Sequence, residues 1–375
     1  MTETLAIGIM SGTSLDGVSA ALVGITDVPP RLDVRLAAFH QEAYAAAERG
    51  QIVDTIARGG SRDLAVLHVA LGERFAAAAL QLLAKARVAP RDVSFVASHG
   101  QTIWHEPGKA TLQLGDAAVL AERLGIQVVS DFRARDVAAG GQGAPLVPLA
   151  DVMLFGDPER GRLLLNLGGM ANVTWVPRRG QLEGALAFDT GPGVAVADAV
   201  TRRIDPEVTF DRDGERARRG RPQRKVLDVL LKDAFFGQAP PKSTGRERFG
   251  QAFADALLER VRSAGGSDND AVATATALTV ESVARAVEQW TPAPLEADLV
   301  ISGGGARNPV LVEMLAGRMR PRSVARFDDL FFDGDAKEAV AFAFLAHQTL
   351  AGRPGNLPAA TGARGPRILG HVTPA

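Results

Sequence analysis

The chain has 375 residues, enough for two domains with separate cores. Its 42 Lys and Arg against 43 Asp and Glu leave a formal charge of −1, so composition gives no argument for a nucleic-acid or anionic-membrane partner. With no cysteine, disulfides, thiolate metal sites and Cys nucleophiles are excluded, in keeping with a reducing, cytoplasmic setting. Acidic Glu3 stands where a signal peptide would carry basic residues, and no 18 apolar residues run unbroken. Neither a leader nor a membrane span is expected.

The apolar run 5–10 turns into Ser11-Gly12-Thr13-Ser14-Leu15-Asp16-Gly17 and resumes at 18–23, a strand–turn–strand. Residues 64–87 have helical periodicity, stopping before Pro90. A short strand is expected at 93–98, ending in Ser98-His99-Gly100-Gln101-Thr102, then a helix at 113–125 and a strand at 127–130 before Asp131-Phe132-Arg133. Glycines at 140, 141 and 143 with Pro145 and Pro148 predict a domain junction there. A second strand–turn–strand runs 163–176 and breaks at Gly168-Gly169. A strand at 185–188 leads into Asp189-Thr190-Gly191-Pro192-Gly193, and a helix at 195–202 follows. Residues 207–250 read as polar, arginine-rich and irregular. Helix 271–290, strand 299–302, the Gly303-Gly304-Gly305 run, a helix from 310 and a helix at 336–350 complete the chain. Two hairpin-led halves suit a duplicated α/β architecture.

Several turns carry chemistry. Glycines and hydroxyls at 11–17 suit phosphate oxygens, and Asp16 beside them makes sense if it holds a bridging magnesium ion; a plain hydrophilic hairpin tip fits the same residues. Gly168 and Gly169 suit phosphates in the same way. The 303–305 glycines leave bare backbone for a nucleoside, or only a tight connection; Asn308 fits a ribose contact or a helix cap. Asp189 at a strand end fits a catalytic base or an Asx turn. Arg133 fits a substrate carboxylate or a salt bridge to Asp131 or Asp136. For His99 and Glu338 the residues alone leave structural and functional readings open.

In order along the chain, MSGTSLDG, SHGQTIWH, LQLGD, SDFRARDVAAGGQGAPLVP, LNLGGMANVT, FDTGPG, FDRDG, PPKSTGRERF, ISGGGARNP and KEAVAFAFLA resemble the anhydro-N-acetylmuramic acid kinases of the actin-like sugar-kinase superfamily. The resemblance implies a two-lobed α/β actin-like ATPase fold with a nucleotide cleft, with one lobe from 1–137 plus 338–375 and the other from 138–337. It implies ATP and Mg2+ as cofactors, a small sugar as substrate and a homodimer as assembly, with no nucleic acid and no membrane. The implied reaction turns 1,6-anhydro-N-acetylmuramic acid, ATP and water into N-acetylmuramic acid 6-phosphate and ADP, serving cell-wall sugar recycling. By position, Asp189 matches the catalytic aspartate. Gly12, Thr13, Ser14, Leu15, Asp16, Gly17, Val18 and Ser19 match the ATP-phosphate segment. His99, Gln101, Arg133, Asn166 and Glu338 fall on the sugar side. One departure stands out: Val194 occupies a place where family members commonly carry Asn.

Overall fold

The computed structural model describes the chain except Met1, Thr2, Thr13, Ser14, Pro29, Pro30 and the side chain of Arg31. The backbone divides into two compact units, 1–155 with 335–375, and 156–334.

In the first unit, β1 (Thr4–Ser11), β2 (Gly17–Val28) and β3 (Arg31–Ala43) form an antiparallel meander. β4 (Phe95–Glu106) then lies parallel to β1, β5 (Ala110–Leu114) pairs antiparallel with β4, and β6 (Val128–Ser130) lies parallel to β4. The second unit repeats the scheme. β7 (Arg162–Leu167), β8 (Met170–Val176) and β9 (Leu186–Pro192) form a meander, and β10 (Asp298–Ser302) and β11 (Val324–Arg326) follow in parallel. Among the described residues the strand orders are β12-β6-β4-β1-β2-β3 and β11-β10-β7-β8-β9, where β12 (His371–Thr373) closes the first sheet. The same order twice is the duplicated α/β fold of actin-like ATPases and sugar kinases.

Each sheet is covered by helices whose apolar residues recur at helical spacing. The Ser61–Ala86 helix is long and apolar enough by composition to cross a membrane. Here it buries Leu67, Leu71, Phe75, Leu82 and Leu83 against Ile7, Ile9, Val96 and Val128. Each such side chain contributes about 1.5–3 kcal/mol when removed from water. The Lys337–Leu350 helix packs on β1, β2 and β4. It sits so close that a Cβ at Gly8 would collide with the Ala339 carbonyl. In the second unit the Asp268–Trp290 helix sets Val280, Val283 and Val287 against Leu163, Leu165 and Phe188.

The structure differs from the sequence expectation at several points. β3 was not expected at all. Residues 113–125 are not one helix: Gly115 breaks the run, and Asp116 caps a helix over Ala117–Leu124 by accepting from Ala118 N at 2.8 Å. The HGQT segment lies within β4, because pairing with β5 extends that strand. Asp189 lies within β9 rather than after it, opposite Asn172 where a bulge shifts the register. The 207–250 stretch holds helices Glu215–Arg219 and Arg224–Leu230, which bury Ala217, Val226, Leu227 and Leu230. The glycines at 140–143 are not the junction. Gly143 N donates to buried Asp136 at 2.8 Å and Gln142 N donates to Thr361 O at 2.7 Å, tying this loop into the first unit. Residues 138–155 and 335–337 therefore belong to the first unit rather than to a lobe spanning 138–337.

Candidate active site

In the first unit the candidate residues gather where β1 turns into β2. Ser11 Oγ donates to Gln101 Oε1 at 2.6 Å and shares a 2.7 Å hydrogen bond with Tyr44 OH. Gln101 Nε2 donates to Gly12 O at 3.2 Å. Gln101 is fully buried, so its amide holds the hairpin to β4. Leu15 N donates to Gly12 O to close the turn, and Leu15 has a left-handed φ of 58°. Gly17 is needed for packing, since a Cβ there would strike Glu42 O. Val18 is core and Ser19 Oγ accepts from Gln41, and both residues lie within β2, paired with β3. Asp16 is exposed, and its carboxylate has no ion pair among the described residues. Thr13 and Ser14 lie outside the described residues.

His99 and Arg133 form a linked pair. Arg133 Nε donates to His99 Nε2 at 2.9 Å, so His99 carries its proton on Nδ1 and donates to Gly100 O at 2.8 Å. Burial and the neighbouring guanidinium hold His99 well below the usual imidazole range, which keeps it neutral. Arg133 Nη1 donates to Gly143 O at 2.7 Å, and the salt bridges to Asp131 or Asp136 do not form. Burial lowers Arg133 to about 10, still cationic at neutral pH, while Glu338 and Asp136 act in the other direction. A cation whose partner is a neutral imidazole remains available to an anionic ligand. Glu338 opens the Lys337–Leu350 helix. Desolvation raises its pKa while Arg133 and Lys337 lower it. Its side chain is nonetheless exposed to solvent. Beside it Lys337 pairs with buried Asp151 at 2.8 Å.

In the second unit, Asp189 N donates to Lys242 O at 3.1 Å and Asp189 Oδ2 accepts from Thr244 N at 2.9 Å. Desolvation raises its pKa to about 6. The Thr244 hydrogen bond and the Lys242 charge lower it, and Glu247 raises it. Lys242 makes no ion pair with Asp189; its Nζ donates to Phe235 O at 3.2 Å and lies 4.6 Å from the Phe235 ring centre. A carboxylate that stays partly accessible and titrates near 6 is suited to accept a proton at neutral pH.

Around it lie the glycine turns. Gly193 and Val194 donate their N–H groups to Gly169 O and Gly168 O, both at 2.9 Å. A Cβ at Gly193 would collide with Gly168 O, so that glycine is demanded by packing. Gly168 and Gly169 are different: neither has a left-handed φ, and a Cβ there would find nothing nearer than 3.5 and 3.8 Å. The protein's own packing does not require them. Gly304 likewise has nothing within 4 Å, whereas Gly303 (φ 83°) and Gly305 press on Leu167. Asn166 reaches toward both turns, its Oδ1 2.6 Å from a Cβ at Gly303 and its Nδ2 3.5 Å from one at Gly168. Asn308 Oδ1 accepts from Val310 N and Leu311 N at 3.1 Å, the helix-cap reading.

Two residues were missed in the sequence. Tyr44 anchors Ser11, and Thr244 holds Asp189 through backbone alone, which leaves no compositional signal. Among the described residues no three His, Asp or Glu side chains gather to hold a metal. Magnesium on a nucleotide needs only one or two carboxylates besides phosphate and water, so a single exposed carboxylate such as Asp16 fits that donor set.

The family model described as anhydro-N-acetylmuramic acid kinase matches residues 4–375. The anhydro-N-acetylmuramic acid kinase of Caldanaerobacter subterraneus subsp. tengcongensis is 43% identical over 99% of this chain and 97% of its own. That of Gloeobacter violaceus is 43% identical over 100% of both chains. The solved activator of 2-hydroxyisocaproyl-CoA dehydratase from Clostridium difficile, with bound ADPNP, aligns at TM-score 0.47 and 15% identity over 94% of this chain and 96% of its own. With its whole length matched and its two sheets repeating one order, the chain belongs to the anhydro-N-acetylmuramic acid kinase family, enzymes that transfer phosphate from ATP.

Proposed function

We propose that the enzyme couples phosphorylation of 1,6-anhydro-N-acetylmuramic acid to hydrolytic opening of its anhydro bridge, giving N-acetylmuramic acid 6-phosphate and ADP in the recycling of cell-wall sugars in the cytoplasm. The observation that carries this reading is Asp189, a carboxylate raised to about 6 and fixed by Thr244 N. In an anhydro sugar the oxygen on carbon six is an ether with no proton to lose, so a base is needed elsewhere. Asp189 takes a proton from water as that water attacks the anomeric carbon. The bond from that carbon to the bridging oxygen breaks, and the released oxygen attacks the γ-phosphorus. Base catalysis of this kind contributes about a hundred- to ten-thousand-fold.

The segment from Gly12 to Ser19 and the Gly168-Gly169 turn take the phosphates through backbone N–H groups; Gly303, Gly304 and Gly305 take the nucleoside, and Asn308 caps the helix that follows them. Magnesium, held with Asp16, supplies charge neutralisation on the phosphates. Arg133 and Glu338 contact the sugar with Asn166, and Arg133 takes the lactyl carboxylate. His99 and Gln101 act by fixing Arg133 and the first hairpin.

Turnover in oxygen-18 water tests the scheme. Early-quenched product should carry the label on the anomeric hydroxyl and none in the phosphate ester. Unlabelled early product would leave ordinary phosphoryl transfer to a hydroxyl.

A further inference from the structure

The loop that holds the base also carries a cation with no assigned task. After Thr244 N reaches Asp189, the same segment lays Arg246 across the second hairpin. A Cβ built on Gly169 would stand 3.8 Å from Arg246 Nη2 and 4.0 Å from its Nε. That edge of a guanidinium grips an oxyanion through two parallel hydrogen bonds. Among the described residues Arg246 is exposed and makes no hydrogen bond or ion pair, unlike Arg248 two residues on, which Asp233 holds at 2.8 Å. Asp198 is near enough for Arg246 to lower its pKa, yet burial dominates and raises that carboxyl to about 6, and the two form no ion pair.

The hairpin it faces is equally unspent. Gly168 and Gly169 have ordinary φ values, and a Cβ at either would make only ordinary contacts, at 3.5 Å or more, so packing does not demand glycine at these two positions. Bare backbone and an uncommitted arginine edge thus border the same space.

We propose that Arg246 binds the terminal phosphate of the nucleotide and stabilises it during transfer, together with the backbone of Gly168 and Gly169. The inference rests on the reading that this hairpin takes ATP phosphates. As the bond from the γ-phosphorus to the bridging oxygen of ADP breaks and the bond to the sugar oxygen forms, charge spreads over the three remaining phosphoryl oxygens. Arg246 donates hydrogen bonds to them and exchanges no proton. An arginine supplied from within the chain serves this purpose in other phosphoryl-transfer enzymes.

The test compares wild type with Arg246→Gln and Arg246→Lys in the full-length enzyme. Calorimetry measures binding of ADP and of a non-hydrolysable ATP analogue, and single turnovers with the anhydro sugar give the rate. Arg246→Gln should bind ADP within twofold of wild type, bind the analogue at least fivefold more weakly, and lose at least a hundredfold in rate. Arg246→Lys keeps the charge without the fork and should recover part of the rate but remain at least tenfold slow. A selective loss of analogue below fivefold, equal weakening of both nucleotides, or a wild-type rate in Arg246→Lys overturns the proposal. Melting curves identify a misfolded Gln variant, in which case the Lys variant decides. Wild type that binds neither nucleotide would instead refute the hairpin reading beneath it.

Discussion

Replacing Asp189 with Asn should abolish turnover and, at the same pH, make the second unit harder to unfold. The carboxyl titrates at about 6 in the folded protein against an ordinary 3.8, chiefly through desolvation. Between those values the folded chain binds more protons than the unfolded one, so stability falls as pH rises through the window, and the full penalty stands above pH 6. A rise of about two pH units at 1.36 kcal/mol each is about 3 kcal/mol. Partial solvent contact at Asp189 reduces this to ~1–2 kcal/mol. Asn keeps a carbonyl oxygen for Thr244 N and carries no charge, so it escapes the penalty. Urea midpoints of both proteins at pH 8 and pH 4 measure it: the variant should lead at pH 8, and the lead should close at pH 4. Equal midpoints at pH 8, or a lead unchanged at pH 4, would refute desolvation as the cause.

Arg133→Ala should raise KM for the anhydromuramic sugar by at least tenfold, from a charge-assisted hydrogen bond of about 1.5–3 kcal/mol, and leave the anhydro sugar lacking the lactyl acid nearly unaffected; equal losses on both sugars would remove the carboxylate role. Lys337→Met takes the cation away from Asp151, both being nearly fully buried. It should cost about 3–5 kcal/mol in urea unfolding, and a cost below about 1 kcal/mol would show that the ion pair is dispensable.

The hairpins were legible because their turns break apolar runs with glycines and hydroxyls. β3 was not: it lies at the sheet edge, where its alternating exposed and half-buried residues give a weak apolar rhythm. The 113–125 stretch reads as one helix because Leu114, Leu120 and Leu124 fall in one apolar series, whereas the glycine that breaks it, Gly115, is demanded by Phe75 from a distant helix. The place of Asp189 beside a glycine turn is legible in the sequence. The pairing of His99 with Arg133 is not, since it joins the middle of β4 to the segment after β6, 34 residues on. Nor is the position of Arg246, which in sequence is one cation in an arginine-rich stretch.

The first unit is interrupted in the chain, and this shapes how it is made. Its strands β1 to β6 are complete by residue 130, but the helix that closes over Gly8 begins only at Lys337. About 180 residues separate Phe155 from Lys337. On a ribosome adding about 5–20 residues per second, that is roughly ten to forty seconds. Through that interval one face of the first sheet stays uncovered while the second unit, continuous from Gly156 to Gly334, can reach its native state first. A nascent chain with a bare apolar sheet is a target for holdase chaperones and a starting point for aggregation. The order of birth therefore runs against the order of the sequence: the unit begun first is finished last.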